Sequence, residues 1–154
     1  MKLIILDRDG VINVDRNYVY RVEDFEWVEG ARETIARFNA KGWWVFVVTN
    51  QSGIARGYYD VAQLTAINEK ILRNVQEAGG CIDFVTHCPH MPDAGCACRK
   101  PEPGMLLAIA KHFNCSLENV PFIGDRVSDI QAAEAAGALP MVVLSPMKIG
   151  RAHV

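Results

Sequence analysis

No stretch of this 154-residue chain approaches the roughly 18 consecutive apolar residues that a membrane-spanning helix needs, so no membrane partner is expected. A basic surplus is missing as well: 16 Lys and Arg stand against 18 Asp and Glu, a net charge of −2. Without a positive face to meet phosphates, no nucleic acid partner is expected either. The N-terminus reaches Asp7 before a signal peptide's apolar region could be completed. Cysteine is scarce and odd in number, five in all, with three of them within eleven residues of one another. That speaks against a disulfide framework and for a metal clip in a reducing compartment. Internal repeats, low-complexity tracts and long linkers are lacking too. What remains is half hydrophobic, enough for a proper core. The expectation is one monomeric, cytoplasmic globular domain over residues 1–147.

Short apolar runs alternate with longer helical patterns. Leu3–Leu6 reads as a buried strand that stops at Asp7-Arg8-Asp9-Gly10, and Gly30–Ala40 carries apolar residues at helical spacing before the stop signal Lys41-Gly42. Trp43–Val48 reads as a second buried strand. Asp60 is placed to N-cap a helix running to about Ala78, with Val61, Leu64, Ile67, Ile71, Leu72 and Val75 on one face. Further strands are expected at Ile82–Thr86, Pro121–Ile123 and Met141–Leu144, and helices at Gly104–Phe113 and Ile130–Ala136. Strands separated by helices imply parallel βαβ units, hence an α/β fold with a doubly wound, Rossmann-like sheet covered on both faces. Sites in such sheets lie beyond the carboxyl ends of the strands. Here those ends carry Asp7/Asp9, Thr49/Asn50, His87/Cys88 and Asp125.

Asp-x-Asp at a strand tip is by itself a weak signal, since a turn or a helix cap explains it equally well. If Arg8 points away, Asp7 and Asp9 flank one space. One carboxylate can then attack phosphorus while the other protonates the leaving oxygen and later activates water. Both are hard oxygen donors suited to Mg²⁺, and Asp125 is a third. Thr49-Asn50 offers a hydroxyl and a backbone amide to a phosphate oxygen, and Lys100 supplies the cation that offsets phosphoryl charge. In this order on successive strand ends the four elements point together at phosphoryl transfer.

His87-Cys88-Pro89-His90-Met91-Pro92-Asp93-Ala94-Gly95-Cys96-Ala97-Cys98 leads directly into Arg99-Lys100. Cys88, His90, Cys96 and Cys98 make a three-thiolate, one-imidazole set, which suits a closed tetrahedral Zn²⁺ site with a structural role. Reduced surface thiols are the plain alternative. His87 is a weaker candidate ligand because it neighbours Cys88 on the strand and should face the other way. Such a clip would fix the loop that aims Arg99 and Lys100. Cys81 and Cys115 read as ordinary core or surface residues.

The pattern Asp-x-Asp, then Thr, then Lys, then Gly-Asp resembles the haloacid dehalogenase superfamily of phosphohydrolases over essentially the whole chain up to Pro146. The resemblance implies that Asp7 is the nucleophile that becomes an aspartyl-phosphate and Asp9 the general acid and base, with Thr49 and Lys100 steadying the transferring group. It implies Mg²⁺ held by the Asp7 side chain, the Asp9 carbonyl and Asp125, and support from Asp129 for the metal or for Lys100. Family members often carry Thr two places after the second Asp; here that place is Val11. There is no room for a large cap domain.

The cysteine clip ahead of Arg99-Lys100-Pro101 resembles two groups in that superfamily, phosphatases of heptose bisphosphates and phosphatases of histidinol phosphate. Asp7-Arg8-Asp9-Gly10-Val11-Ile12-Asn13, Thr49-Asn50-Gln51-Ser52-Gly53-Ile54-Ala55-Arg56-Gly57 and Arg99-Lys100-Pro101-Glu102-Pro103-Gly104-Met105 are similar to the heptose group. The short clip loop also occurs in the histidinol group. The first resemblance implies removal of the 7-phosphate of a heptose 1,7-bisphosphate in lipopolysaccharide precursor synthesis. Its implied substrate contacts are Asp15, Arg16, Asn17, Tyr18, Thr49, Asn50, Gln51, Ser52, Arg99, Lys100 and Arg126. A catalytically silent, zinc-clipped fragment is the third alternative. The last seven residues, Lys148 to Val154, resemble the in-frame translation of an adapter oligonucleotide. The natural chain is therefore expected to continue differently there, with a further strand and helix.

Overall fold

A computed structural model describes residues 2–144; the expectations about residues 148–154 and the end of the domain at 147 lie outside the described residues. Five strands, β1 (Leu3–Leu6), β2 (Trp44–Asn50), β3 (Phe84–Cys88), β4 (Pro121–Gly124) and β5 (Leu139–Val142), form one parallel sheet in the order β3-β2-β1-β4-β5. The crossovers are the helices α1 (Ala31–Ala40), α2 (Val61–Glu77), α3 (Gly104–His112) and α4 (Val127–Ala136).

Alternation along the strands decides which residue feeds which face. Ile4, Leu6, Val45 and Val47 pack with Ile35 of α1 and Ile67, Ile71 and Val75 of α2. Leu3, Ile5, Phe46, Val48 and Phe122 point the other way, onto Met105, Leu106 and Ile109 of α3 and Ala132 and Ala133 of α4. Because both faces are buried, the central strands are continuous apolar runs and not alternating ones. The chain winds outward from β1 through β2 to β3, then α3 carries it back across to β4. The strand order therefore reverses between β1 and β4. That is the crevice where this topology places a ligand, and Asp7 and Asp125 sit directly beyond the two strands that border it.

Local chemistry shifts several boundaries from those read in the sequence. Thr49 and Asn50 stay in β2 because they pair with His87 and Cys88. β3 starts at Phe84, since Asp83 ends the loop: its side chain accepts the Val45 amide at 2.9 Å and its own amide donates to the Val45 carbonyl at 2.9 Å. α4 begins at Val127, three residues before the expected start, because Asp129 Oδ2 accepts the amides of Asp125 and Arg126 at 3.1 Å each and so nucleates the first turn. β5 lies two residues earlier than expected and contains Pro140, which an edge strand tolerates. The capping box at α2 is as the sequence suggests: Asp60 accepts the Gln63 amide at 2.9 Å and Gln63 accepts the Asp60 amide at 3.0 Å.

Candidate active site

The tip of β1 delivers Asp7 into the crevice, and its backbone is stitched to β4 by the Asp7 amide donating to the Ile123 carbonyl at 2.9 Å. Lys100, 4% exposed, lies between two carboxylates: its Nζ is 2.8 Å from Asp7 Oδ1 and 2.6 Å from Asp129 Oδ1. Asp7 Oδ1 also accepts the Arg8 amide at 2.8 Å, so the rotation of the carboxylate is fixed. The loop bearing Lys100 is tied to β2 by Asn50, whose amide donates to the Lys100 carbonyl and accepts the Lys100 N–H, both at 3.1 Å.

Carboxylate oxygens of Asp7, Asp125 and Asp129, all buried, converge within 4.8 Å of one another. Among the described residues, the Lys100 ammonium stands between Asp7 and Asp129, and the Asp125 carboxylate joins them. Burial pushes the Asp7 pKa up to about 7 against the opposing pull of Lys100, with the charges of Asp129 and Asp9 adding to the rise. Lys100 is itself raised: burial works against its charge, but the two carboxylates outweigh it. Gly10 makes the convergence possible. A Cβ there would stand 1.9 Å from Asp125 Oδ2, and its φ of +88° is in the left-handed region.

Asp9 is held on the other side. Its Oδ1 accepts Arg8 Nη2 at 2.9 Å and Asn13 Nδ2 at 3.1 Å, and its Oδ2 accepts Gln51 Nε2 at 3.1 Å. Gln51 Nε2 also donates to Thr49 Oγ1 at 2.9 Å, and Gln51 Oε1 accepts the Tyr59 hydroxyl. Arg8 does point away from the space between the aspartates, as the sequence reading required. It is nevertheless buried to 1% and reaches the Val19 carbonyl at 2.9 Å as well as Asp9.

Above these groups opens a cleft of about 620 Å³, within the range of small-molecule sites. It is lined by Asp7, Asp9, Asp15, Asn17, Tyr18, Asn50, Gln51, Ser52, Arg99, Lys100 and Arg126 among the residues singled out from sequence. Thr49 is buried beneath Gln51, and Asp125 joins the carboxylate group at the floor. Arg16 is not brought to the cleft: its guanidinium pairs with Glu26 at 2.5 Å on an exposed surface. Arg56 does line it, with its guanidinium 5.9 Å from the Tyr18 ring centroid. Asp15 and Arg126, 111 residues apart in sequence, meet at 2.7 Å across one side, and the pair raises the Arg126 pKa. Asn17 and Tyr18 adopt φ of 55° and 54°, a strained conformation for residues with side chains, at the loop that borders the cleft.

The cysteine clip gathers as its composition suggests. Donor atoms of Cys88, His90, Cys96 and Cys98 all lie within 4.8 Å of one another. Cys88 and Cys96 Sγ are 3.7 Å apart, and His90 Nδ1 is 3.3 Å from the sulfurs of both Cys88 and Cys98. A tetrahedron with metal–sulfur bonds near 2.3 Å has an edge of about 3.8 Å, which the Cys88–Cys96 pair matches, while the Cys98 and Cys88 sulfurs lie closer together, at 2.9 Å. Burial pushes the Cys88 thiol up to about 12, whereas at Cys96 burial is outweighed by hydrogen bonds from the Arg99 backbone and the other cluster members, giving about 6. His87 stays outside the group. The clip sits one residue before Arg99 and two before Lys100, and Cys96 itself borders the cleft.

Asn13 and Tyr59 were not singled out by the sequence reading, and Arg8 was read only for its direction. Tyr59 had a faint signal, an aromatic residue immediately before the helix cap Asp60. Nothing in the sequence marked Asn13.

Comparison with known proteins bears on this geometry. The HAD-hydrolase-like family pattern matches residues 97–147. The D-glycero-β-D-manno-heptose-1,7-bisphosphate 7-phosphatase of Pseudomonas putida is 51% identical over 144 residues, covering 93% of this chain and 82% of that protein. The Pseudomonas aeruginosa protein of the same name is 46% identical over 142 residues, covering 92% and 80%. Among solved structures, the D,D-heptose 1,7-bisphosphate phosphatase of B. bronchiseptica, complexed with magnesium and phosphate, superposes with a TM-score of 0.90 at 47% identity, covering 92% of this chain and 80% of that one.

Proposed function

The chain belongs to the heptose-1,7-bisphosphate 7-phosphatase family of HAD-like hydrolases, and on that premise we propose that it removes the 7-phosphate of D-glycero-D-manno-heptose 1,7-bisphosphate through an aspartyl-phosphate on Asp7. The observation that carries the reading is the placement of Lys100 between Asp7 and Asp129 at the switch point of the sheet, with Asp9 held on the opposite side.

The chemistry follows from the side chains. Asp7 attacks phosphorus; the bond from phosphorus to the sugar oxygen breaks, and Asp9 gives that oxygen its proton. Asp9, now a carboxylate, takes a proton from the water that attacks the aspartyl-phosphate, and inorganic phosphate leaves with Asp7 restored. Lys100 and the Thr49 hydroxyl hold the phosphoryl oxygens, and Lys100 keeps its charge because two carboxylates surround it. The buried carboxylate oxygens of Asp7, Asp125 and Asp129, within 4.8 Å of one another, are hard donors that suit a divalent cation. Asp129 is already engaged by Lys100 and two backbone amides, so Asp7, the Asp9 carbonyl and Asp125 would hold the ion. When bound, Mg²⁺ neutralises charge developing on the phosphoryl group, and it needs few protein ligands.

In the same reading Cys88, His90, Cys96 and Cys98 hold a structural zinc that fixes the approach of Arg99 and Lys100. Arg99, Arg126 and the loop of Asp15, Asn17 and Tyr18 contact the sugar and its second phosphate. The domain, taken as residues 1–147, works as a cytoplasmic monomer on a small phosphorylated sugar. Phosphate release from heptose 1,7-bisphosphate and from histidinol phosphate, measured side by side with Mg²⁺, tests the substrate: faster turnover of histidinol phosphate refutes it. Asp7→Asn should abolish turnover with fold and zinc content unchanged, and retained activity would remove Asp7 as the nucleophile.

A further inference from the structure

We propose that Gln51, set in one orientation by the Tyr59 hydroxyl, is a positioning residue that makes Oδ2 of Asp9 the oxygen that carries the catalytic proton. The inference rests on the reading of Asp9 as acid and base given above.

The two oxygens of Asp9 differ in their surroundings. Oδ1 accepts from Arg8 Nη2 and Asn13 Nδ2, side chains that are 1% and 0% exposed and do not line the cleft. Both groups can only donate at those atoms, so a proton on Oδ1 would have to displace one of them, stranding a buried donor. Oδ2 has a single protein donor, Gln51 Nε2 at 3.1 Å, and it lies on the side of Gln51 and Tyr59, which do line the cleft. The acid proton therefore belongs on Oδ2, where the departing sugar oxygen can take it as the phosphorus–oxygen bond breaks. The attacking water returns a proton to the same oxygen.

Gln51 is 3% exposed, and its neighbours leave its amide one arrangement. Nε2 faces two acceptors, Asp9 Oδ2 and Thr49 Oγ1 at 2.9 Å, while Oε1 faces the Tyr59 hydroxyl. Turning the amide over would set its oxygen against the Asp9 carboxylate. Tyr59 is 5% exposed, stacked on Tyr20 with ring centroids 5.3 Å apart, and burial pushes its pKa up to about 12, so it remains a donor. Gly53 lets the ring sit there: a Cβ at that position would stand 2.0 Å from Tyr59 Cε1. The same Gln51 donor occupies a lone pair of Thr49, whose hydroxyl donates to the Asn50 carbonyl at 3.4 Å until a phosphoryl oxygen takes that proton. One amide thus orders the acid and the phosphate clamp together.

A leaving group that needs no proton separates this role from simple structural support. Tyr59→Phe, in the full chain with Mg²⁺, is compared with the wild type on heptose 1,7-bisphosphate, whose leaving alkoxide needs an acid, and on p-nitrophenyl phosphate, whose phenolate does not. Single-turnover rates on the sugar should fall about 10- to 100-fold with KM unchanged, a share of the factor that a placed general acid supplies. The pre-steady-state burst of p-nitrophenolate should change less than about threefold, since positioning of the acid no longer matters there. Equal losses on both substrates, or no loss on the sugar in Tyr59→Phe, overturn the inference. Asp9→Asn is run alongside. If it too fails to discriminate the two leaving groups, the reading of Asp9 as acid falls; if it discriminates and Tyr59→Phe does not, only the role of Gln51 and Tyr59 falls. An unchanged Tm for Tyr59→Phe, which removes one oxygen, guards against a loss of fold.

Discussion

Raising the pH should weaken the fold of the magnesium-free protein, and the size of the effect follows from Asp7. Its carboxyl titrates at 3.8 in an ordinary setting and is pushed up to about 7 here, chiefly by burial. The folded state therefore binds a proton that the unfolded state has lost, so stability falls as pH rises through this window. Asp7's contribution is fully present below pH 4 and is gone above about pH 7; at about 1.4 kcal/mol per pH unit the loss is of the order of 4 kcal/mol. Lys100 is raised as well, but its contribution is complete below its ordinary value and disappears only in the alkaline range, outside the window. Urea unfolding of the zinc-loaded protein in magnesium-free buffer, at several pH values across that range, measures the slope. Asp7→Asn is the reference: it keeps the shape and removes the titration, and any acid release of zinc affects both proteins alike. The stability gap between them should shift in favour of Asp7→Asn as pH rises. Saturating Mg²⁺ at neutral pH should restore wild-type stability, by about 2.7 kcal/mol at a hundredfold excess over Kd. A gap that stays constant, or that shifts the other way, would refute the claim that burial holds a proton on Asp7.

Asp129→Ala strips Lys100 of one partner and α4 of its first-turn acceptor, and should cost about 3–5 kcal/mol in chemical denaturation; Asp129→Asn should cost less yet still lower kcat. Cys96→Ser should reduce zinc content, read by elemental analysis, and lower Tm by more than about 5 °C, whereas a zinc-free, fully stable variant would remove the structural metal. Gly53→Ala forces the Tyr59 ring to move. It should destabilise by about 1–3 kcal/mol and reproduce the leaving-group discrimination of Tyr59→Phe, and normal kinetics on the sugar would show that the ring position is not critical.

Much of the site could be read from the sequence because its parts end strands. Leu3–Leu6 and Trp43–Val48 are apolar throughout, which only a strand buried on both faces requires, and the first polar residues after them must lie on the rim. Asp7, Thr49 and Asp125 were found this way. The clip was legible from composition alone, since four soft donors within eleven residues have few other uses. Boundaries were less legible. The start of α4 at Val127 depends on an Asp129 side chain capturing amides three and four residues back, and the start of β3 depends on Asp83 reaching Val45 across the sheet. Arg16, adjacent in sequence to Asp15 and Asn17, is a solvated loop charge that faces Glu26, because neighbouring loop residues project in different directions.

The sequence by itself determined the alternation of strands and helices, the strand-end carboxylates, the lysine and the cluster of cysteines and histidine, because hydrophobic run length and donor chemistry are local properties. Only the tertiary structure decided how the charges balance. That Lys100 is shared between Asp7 and Asp129, that the Asp125 carboxylate comes within 4.8 Å of theirs, and that buried Arg8 and Asn13 claim one oxygen of Asp9 while Gln51 holds the other are facts of distance. Residues distant in the chain, such as Asp7 and Lys100, meet there because the crossover through α3 returns the chain beside β1, and an electrostatic interaction depends on separation in space, which no local pattern encodes.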